Sequence, residues 1–133
     1  MKINSKIHGI IDYLVVLFLW LSPTIFQMQP YSEAFAYILG FVHFALSLAT
    51  NYEPGVLKYI PLKIHGTIEL IVAIALVGVA FYLGNLEGDF SRNYYLGFAI
   101  AVFVVWLLSD YTNKPFSKDG IPEIESNTDG GMI

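Results

Sequence analysis

The sequence predicts an all-α fold: a four-transmembrane-helix bundle made of two parallel tandem helical-hairpin repeats. Three observations carry this. The 133 residues are 56% hydrophobic and only 14% charged, against roughly 45–50% and about 25% in a soluble domain. Four long apolar runs divide the chain. A short polar pattern, Lys-x-His-Gly-x-x-acid, occurs twice.

The runs extend from about Ile7 to Leu21, Ala34 to Ala49, Ile64 to Leu83 and Tyr94 to Leu108. A hydrocarbon core is crossed by about 20 helical residues. The third run meets that length. The others need flanking residues such as Trp20, Tyr31, Tyr52 and Tyr111, whose ring systems suit the headgroup depth. A soluble bundle would give each helix a polar outer face. The segments 71–81 and 97–108 have none. A β-barrel does not fit, because the runs are continuous rather than alternating. The first run carries His8 and Asp12 and is followed by Pro23 and bulky residues. It is therefore expected to be a retained span and not a cleaved leader.

Breakers mark the expected boundaries. Pro23 and Pro30 bracket the first outer loop, Pro54-Gly55 ends the second helix, Pro61 precedes the third, Gly84 and Gly88 mark the last outer turn, and Pro115 follows the fourth. The expected division is a transmembrane domain over 1–116 and a flexible cytoplasmic tail over 117–133. Lys2, Lys6, Lys58, Lys63, Lys114 and Lys118 fall on one side, and Arg92 alone on the other. This asymmetry predicts cytoplasmic termini, in a bacterial inner membrane. The expected partners are the lipid bilayer and a second copy or another membrane protein. Seven basic residues against eleven acidic ones, with no basic cluster, exclude nucleic acid. With no cysteine, disulfides and thiol chemistry are excluded.

The repeat has an offset of 57 residues. Lys6-Ile7-His8-Gly9 matches Lys63-Ile64-His65-Gly66, Asp12 matches Glu69, Tyr37-x-Leu39-Gly40-Phe41 matches Tyr94-x-Leu96-Gly97-Phe98, and Glu53 matches Asp110. The expected register needs no gap. It makes hairpin one about 6–53 and hairpin two about 63–110. Both hairpins start on the same side, which predicts a pseudo-twofold axis along the membrane normal. The four glycines at 9, 40, 66 and 97 are read as points of close helix packing.

The scarce polar groups gather toward the cytoplasmic side. His8 and Asp12 are spaced i,i+4, as are His65 and Glu69, so each pair shares a helix face. An ionised carboxylate below the headgroups is costly unless paired or wet. Eight positions are therefore candidates for one polar cluster: Lys6, His8, Asp12, Glu53, Lys63, His65, Glu69 and Asp110. The cluster could hold the hairpins together. It could handle protons, since His beside a carboxylate titrates near neutrality. It could bind a metal: His8, Asp12, His65 and Glu69 form a set of N/O ligands suited to Zn²⁺ or non-haem iron. His43 stands apart as a midplane histidine, with Ser47, Thr67 or a tyrosine as expected partners. No second midplane histidine is expected, which argues against haem. Thr67 and Ser109 are expected to bond helix carbonyls.

Leu21-Ser22-Pro23 at the end of the first helix, followed by Thr24, resembles the SPW-repeat membrane proteins. That family consists of tandem two-helix units with a Ser-Pro-Trp element. Here Thr24 stands where the tryptophan would be, and Trp20 lies one turn earlier. The resemblance implies the hairpin architecture and carries no established reaction. No nucleophile elbow, phosphate loop or His-Glu-x-x-His motif is present. The sequence thus points to a small non-enzymatic integral membrane protein, structural or partner-binding, without a cofactor. A proton-coupled or small-solute transport component using the His/carboxylate cluster is the alternative. A metal-binding membrane enzyme is the further one.

Overall fold

The computed structural model describes residues 2–111. The expected tail at 117–133 lies outside them, as do Lys114, Pro115 and Lys118. The described residues form four helices: α1 (Ser5–Ile25), α2 (Pro30–Ala49), α3 (Leu62–Glu87) and α4 (Asp89–Leu108). All four are long and apolar enough to cross a membrane. Their outer faces carry large apolar side chains: Leu14, Phe41, Ile74 and Ile100 are each more than half exposed. In water that surface would be costly, whereas lipid tails are as apolar as the side chains themselves.

Local chemistry sets the helix ends. The Asn4 side chain accepts from the Ile7 N–H and starts α1. Pro30 opens α2 at the first helical position, where a missing N–H costs nothing. Gly88, at φ +104°, makes the one-residue turn between α3 and α4. Two expected breakers are instead helical. Pro23 lies inside α1, which continues to Ile25. It sits in the last turn, where Ser22 Oγ donates back to the Phe18 carbonyl and Phe26 N–H still reaches the Ser22 carbonyl. Gly84 lies inside α3 and packs against Arg92, so Gly88 alone turns the chain.

α1 packs mainly on α2, and α3 mainly on α4. Gly40 lies against Trp20, Gly9 against Pro54 and Gly66 against Tyr111. Gly97, expected to do the same, has open space around it. The reason is register. Buried positions in α1 recur 57 residues later in α3: His8 and His65, Gly9 and Gly66, Asp12 and Glu69, Leu19 and Leu76. α2 and α4, however, begin and end 59 residues apart, at Pro30 and Asp89 and at Ala49 and Leu108. The buried pairs Ser32 and Ser91, and Ala36 and Tyr95, are likewise 59 residues apart, two more than the expected ungapped register.

Two short backbone pairings complete the frame. Ile3 pairs with Ser109, and Thr50 with Ile60. The start of α1 therefore sits beside the end of α4, and the start of α3 beside the end of α2. An apolar core of Met28, Ala36, Leu76, Ala80, Leu83, Tyr95 and Ala99 fills the opposite half of the bundle.

Candidate metal centre

The four candidate ligands follow from the starts of α1 and α3. A histidine in the first turn and an acid one turn later project from the same face. α1 and α3 turn these faces toward each other. His8, Asp12, His65 and Glu69 are all buried, and one ligand atom from each lies within 4.8 Å of the others. Nitrogen and oxygen alternate around the group. His8 Nε2 is 3.5 Å from Asp12 Oδ1 and 3.2 Å from Glu69 Oε2. His65 Nε2 is 3.1 Å from Asp12 Oδ2 and 3.4 Å from Glu69 Oε2. Metal–ligand bonds of about 2.0–2.1 Å put tetrahedral donor atoms about 3.3–3.4 Å apart. The four His–carboxylate contacts lie near that spacing, the two to Asp12 through different oxygens, and one ligand atom from each residue lies within 4.8 Å of the others, so these residues could hold a metal ion.

The outer nitrogens are fixed by the backbone pairings. Ser109 is brought beside His8, and its Oγ lies 2.6 Å from Nδ1. Thr50 is brought beside His65, and its Oγ1 lies 2.7 Å from Nδ1. Both hydroxyls already donate to helix carbonyls, Ser109 to Val105 and Thr50 to Leu46. A hydroxyl has one proton to give. Each must therefore accept from its histidine, which puts a proton on Nδ1 and directs Nε2 at the carboxylates.

The carboxylates are also held, Asp12 through the same Oδ2 that faces His65 and Glu69 through its outer Oε1. Tyr52 donates to Asp12 Oδ2 at 2.7 Å, and Tyr111 donates to Glu69 Oε1 at 2.5 Å. Burial and the neighbouring carboxylates push both phenols well above the usual tyrosine range, so they stay protonated donors. Tyr52 is wholly buried. Lys58 shapes its loop by donating to the Tyr52 and Gly55 carbonyls.

One nitrogen is left over. His65 Nε2 is buried and has no partner in hydrogen-bond geometry, although two carboxylate oxygens lie within 3.4 Å. His43 repeats this. Its Nε2 is buried, 3.4 Å from Asp12 Oδ1, and outside hydrogen-bond geometry. The expected separation of His43 from the cluster is therefore overturned. Its partner is Asp12 and not Ser47, Thr67 or a tyrosine, because α2 packs on α1 and brings the two together.

Three members of the wider expected cluster stay at the surface. Lys6, Lys63 and Glu53 are exposed. Glu53 accepts from Ser5 Oγ at 2.6 Å. Asp110 is half-buried, and its N–H donates to the Ile3 carbonyl. Thr67 and Ser109 do bond helix carbonyls. Thr50, Ser109, Tyr52 and Tyr111 were missed as site residues. The signal for them was faint: a hydroxyl and a tyrosine two residues apart, after α2 and again after α4, at an offset of 59.

No family model, curated protein or solved structure matches this chain.

Proposed function

We propose that the protein is a multi-pass membrane protein whose two hairpins are joined by a buried divalent transition-metal ion. His8, Asp12, His65 and Glu69 are its ligands, and Zn²⁺ or Fe²⁺ is the ion. The observation that carries the reading is the tautomer arrangement: both histidines are protonated at Nδ1 by geometry and turn Nε2 inward between two carboxylates. Charge supports it. Two buried carboxylates with neutral histidines leave −2, which one divalent cation cancels. Imidazole with carboxylate suits zinc or iron better than magnesium or calcium.

The ion holds the fold together, consistent with a non-enzymatic role. Its ligands come one pair from each hairpin. The hairpins are read as parallel repeats with both termini in the cytoplasm of a bacterial inner membrane, and the Leu21-Ser22-Pro23 element keeps the SPW-repeat resemblance as part of this proposal.

Protein purified without chelator and assayed by elemental analysis tests the reading. One zinc or iron per chain, lost in a His8→Ala/His65→Ala variant, is expected. A metal-free wild type that also fails to take up added Zn²⁺ overturns it. A second reading has the histidines doubly protonated, with the cluster sharing protons in a transport component. The His8 Nε2 to Glu69 Oε2 hydrogen bond at 3.2 Å favours it. Proton uptake by the wild type in sealed vesicles, absent in Glu69→Gln, would support that reading in place of the first.

A further inference from the structure

A cavity of about 90 Å³ lies directly against the polar cluster. Its walls are apolar and include Val15, Leu39, Leu46, Phe98 and Val102. Among the described residues, its polar lining comes from Asp12, His43 and Glu69. Two other lining residues, Val42 on α2 and Ala101 on α4, are exposed. These two residues carry the lining to the outer surface of the bundle, where the helices present large apolar side chains.

We propose that this cavity binds a membrane-dissolved, neutral-headed linear amphiphile, with its head at His43 and its tail leaving past Val42 and Ala101. Four features define the ligand. The apolar walls select an alkyl segment. The volume selects a linear chain, since an engineered cavity of about 150 Å³ is what takes up a benzene ring. The buried His43 Nε2 lies 3.4 Å from Asp12 Oδ1 but outside hydrogen-bond geometry, and such an atom gains from a ligand hydroxyl. Asp12 and Glu69 beside it repel an anionic head. A primary long-chain alcohol meets all four conditions. The inference extends the metal reading by naming what reaches that centre, but its binding contacts do not require the ion.

The test uses full-length protein in phosphatidylcholine nanodiscs, zinc-free and zinc-loaded. It measures bound radiolabelled 1-dodecanol above the level in empty discs, with dodecanoate and dodecane as matched probes. Saturable binding of one dodecanol per chain is expected. In zinc-free protein, dodecane and dodecanoate bind about tenfold more weakly, the scale of one lost hydrogen bond. His43→Phe lowers dodecanol to the level of dodecane. Val102→Trp fills the cavity and abolishes binding, and Ala101→Trp at the rim does the same should Val102→Trp fail to fold. No saturable excess in folded wild type overturns the proposal. So does equal binding of the three probes, or undiminished binding in a folded tryptophan variant. If a second copy covers the opening, dodecanol fails to bind and the chain elutes as a dimer, which also overturns it. Zinc uptake without dodecanol binding refutes this inference alone, and dodecanol binding without zinc uptake refutes the metal reading alone.

Discussion

The two ends of the bundle join their helices with buried polar groups, but they solve the problem differently. Beyond the apolar core, Glu87 at the end of α3 caps the start of α2. Its carboxylate accepts from the Tyr31 and Ser32 N–H groups at 2.6 and 2.9 Å and from Ser32 Oγ at 2.7 Å. Ser91 Oγ lies 2.6 Å from Ser32 Oγ. One negative charge meets a helix N-terminus, and its oxygens are satisfied. The end holding His8 and His65 has two carboxylates, three histidines and two ring nitrogens without hydrogen bonds. The first arrangement is complete as a clasp. The second is charge-rich and under-bonded, which is what a ligand site looks like when its ligand atoms already converge.

The largest test of this contrast is Asp12→Leu. It removes a shared acceptor from Tyr52, leaves His8 and His65 facing one carboxylate, and takes from His43 the carboxylate it faces. Loss of about 3–5 kcal/mol of stability is expected, together with loss of bound metal, read by thermal melting in detergent and elemental analysis. Unchanged melting would mean that the pair is wet or purely functional.

Next come Thr50→Val and Ser109→Ala, which free Nδ1 of His65 and His8. Zinc affinity should fall by about 10- to 100-fold in each, measured by competition with a chelator. An unaffected affinity would remove the argument from tautomers.

Glu87→Gln tests the other end. It keeps an acceptor and removes the charge at the α2 N-terminus. A loss of about 1 kcal/mol or less is expected, with zinc content unchanged. If zinc were lost, the two ends would be coupled and the contrast would fail.

The smallest effect is expected from Lys6→Ala and Lys63→Ala. Both lysines are exposed and stand outside the buried group. Melting temperature and zinc content should both stay at wild-type values. A change in zinc content would restore these lysines to the site.

Much of this molecule was legible in the chain. Continuous apolar runs without a polar face dictate helices that face lipid, and all four helices follow. The His-x-x-x-acid spacing, twice, dictates two polar faces that must find each other, because carboxylates at that depth need partners. The helix ends were less legible. A proline near a C-terminus need not stop a helix, and Pro23 does not.

The tertiary structure alone decided who joins the cluster. The sequence could not weigh Lys6 against His43, since residues at a helix start point inward or outward according to which neighbour packs there. Nor could it place Ser109 beside His8 or Thr50 beside His65. Those contacts cross between the hairpins and depend on the two pairings, Ile3 with Ser109 and Thr50 with Ile60. A chain pattern fixes which groups share a helix face, because that follows from 3.6 residues per turn. Which faces meet, and which nitrogen of each histidine faces the carboxylates, is settled by packing at long sequence separation.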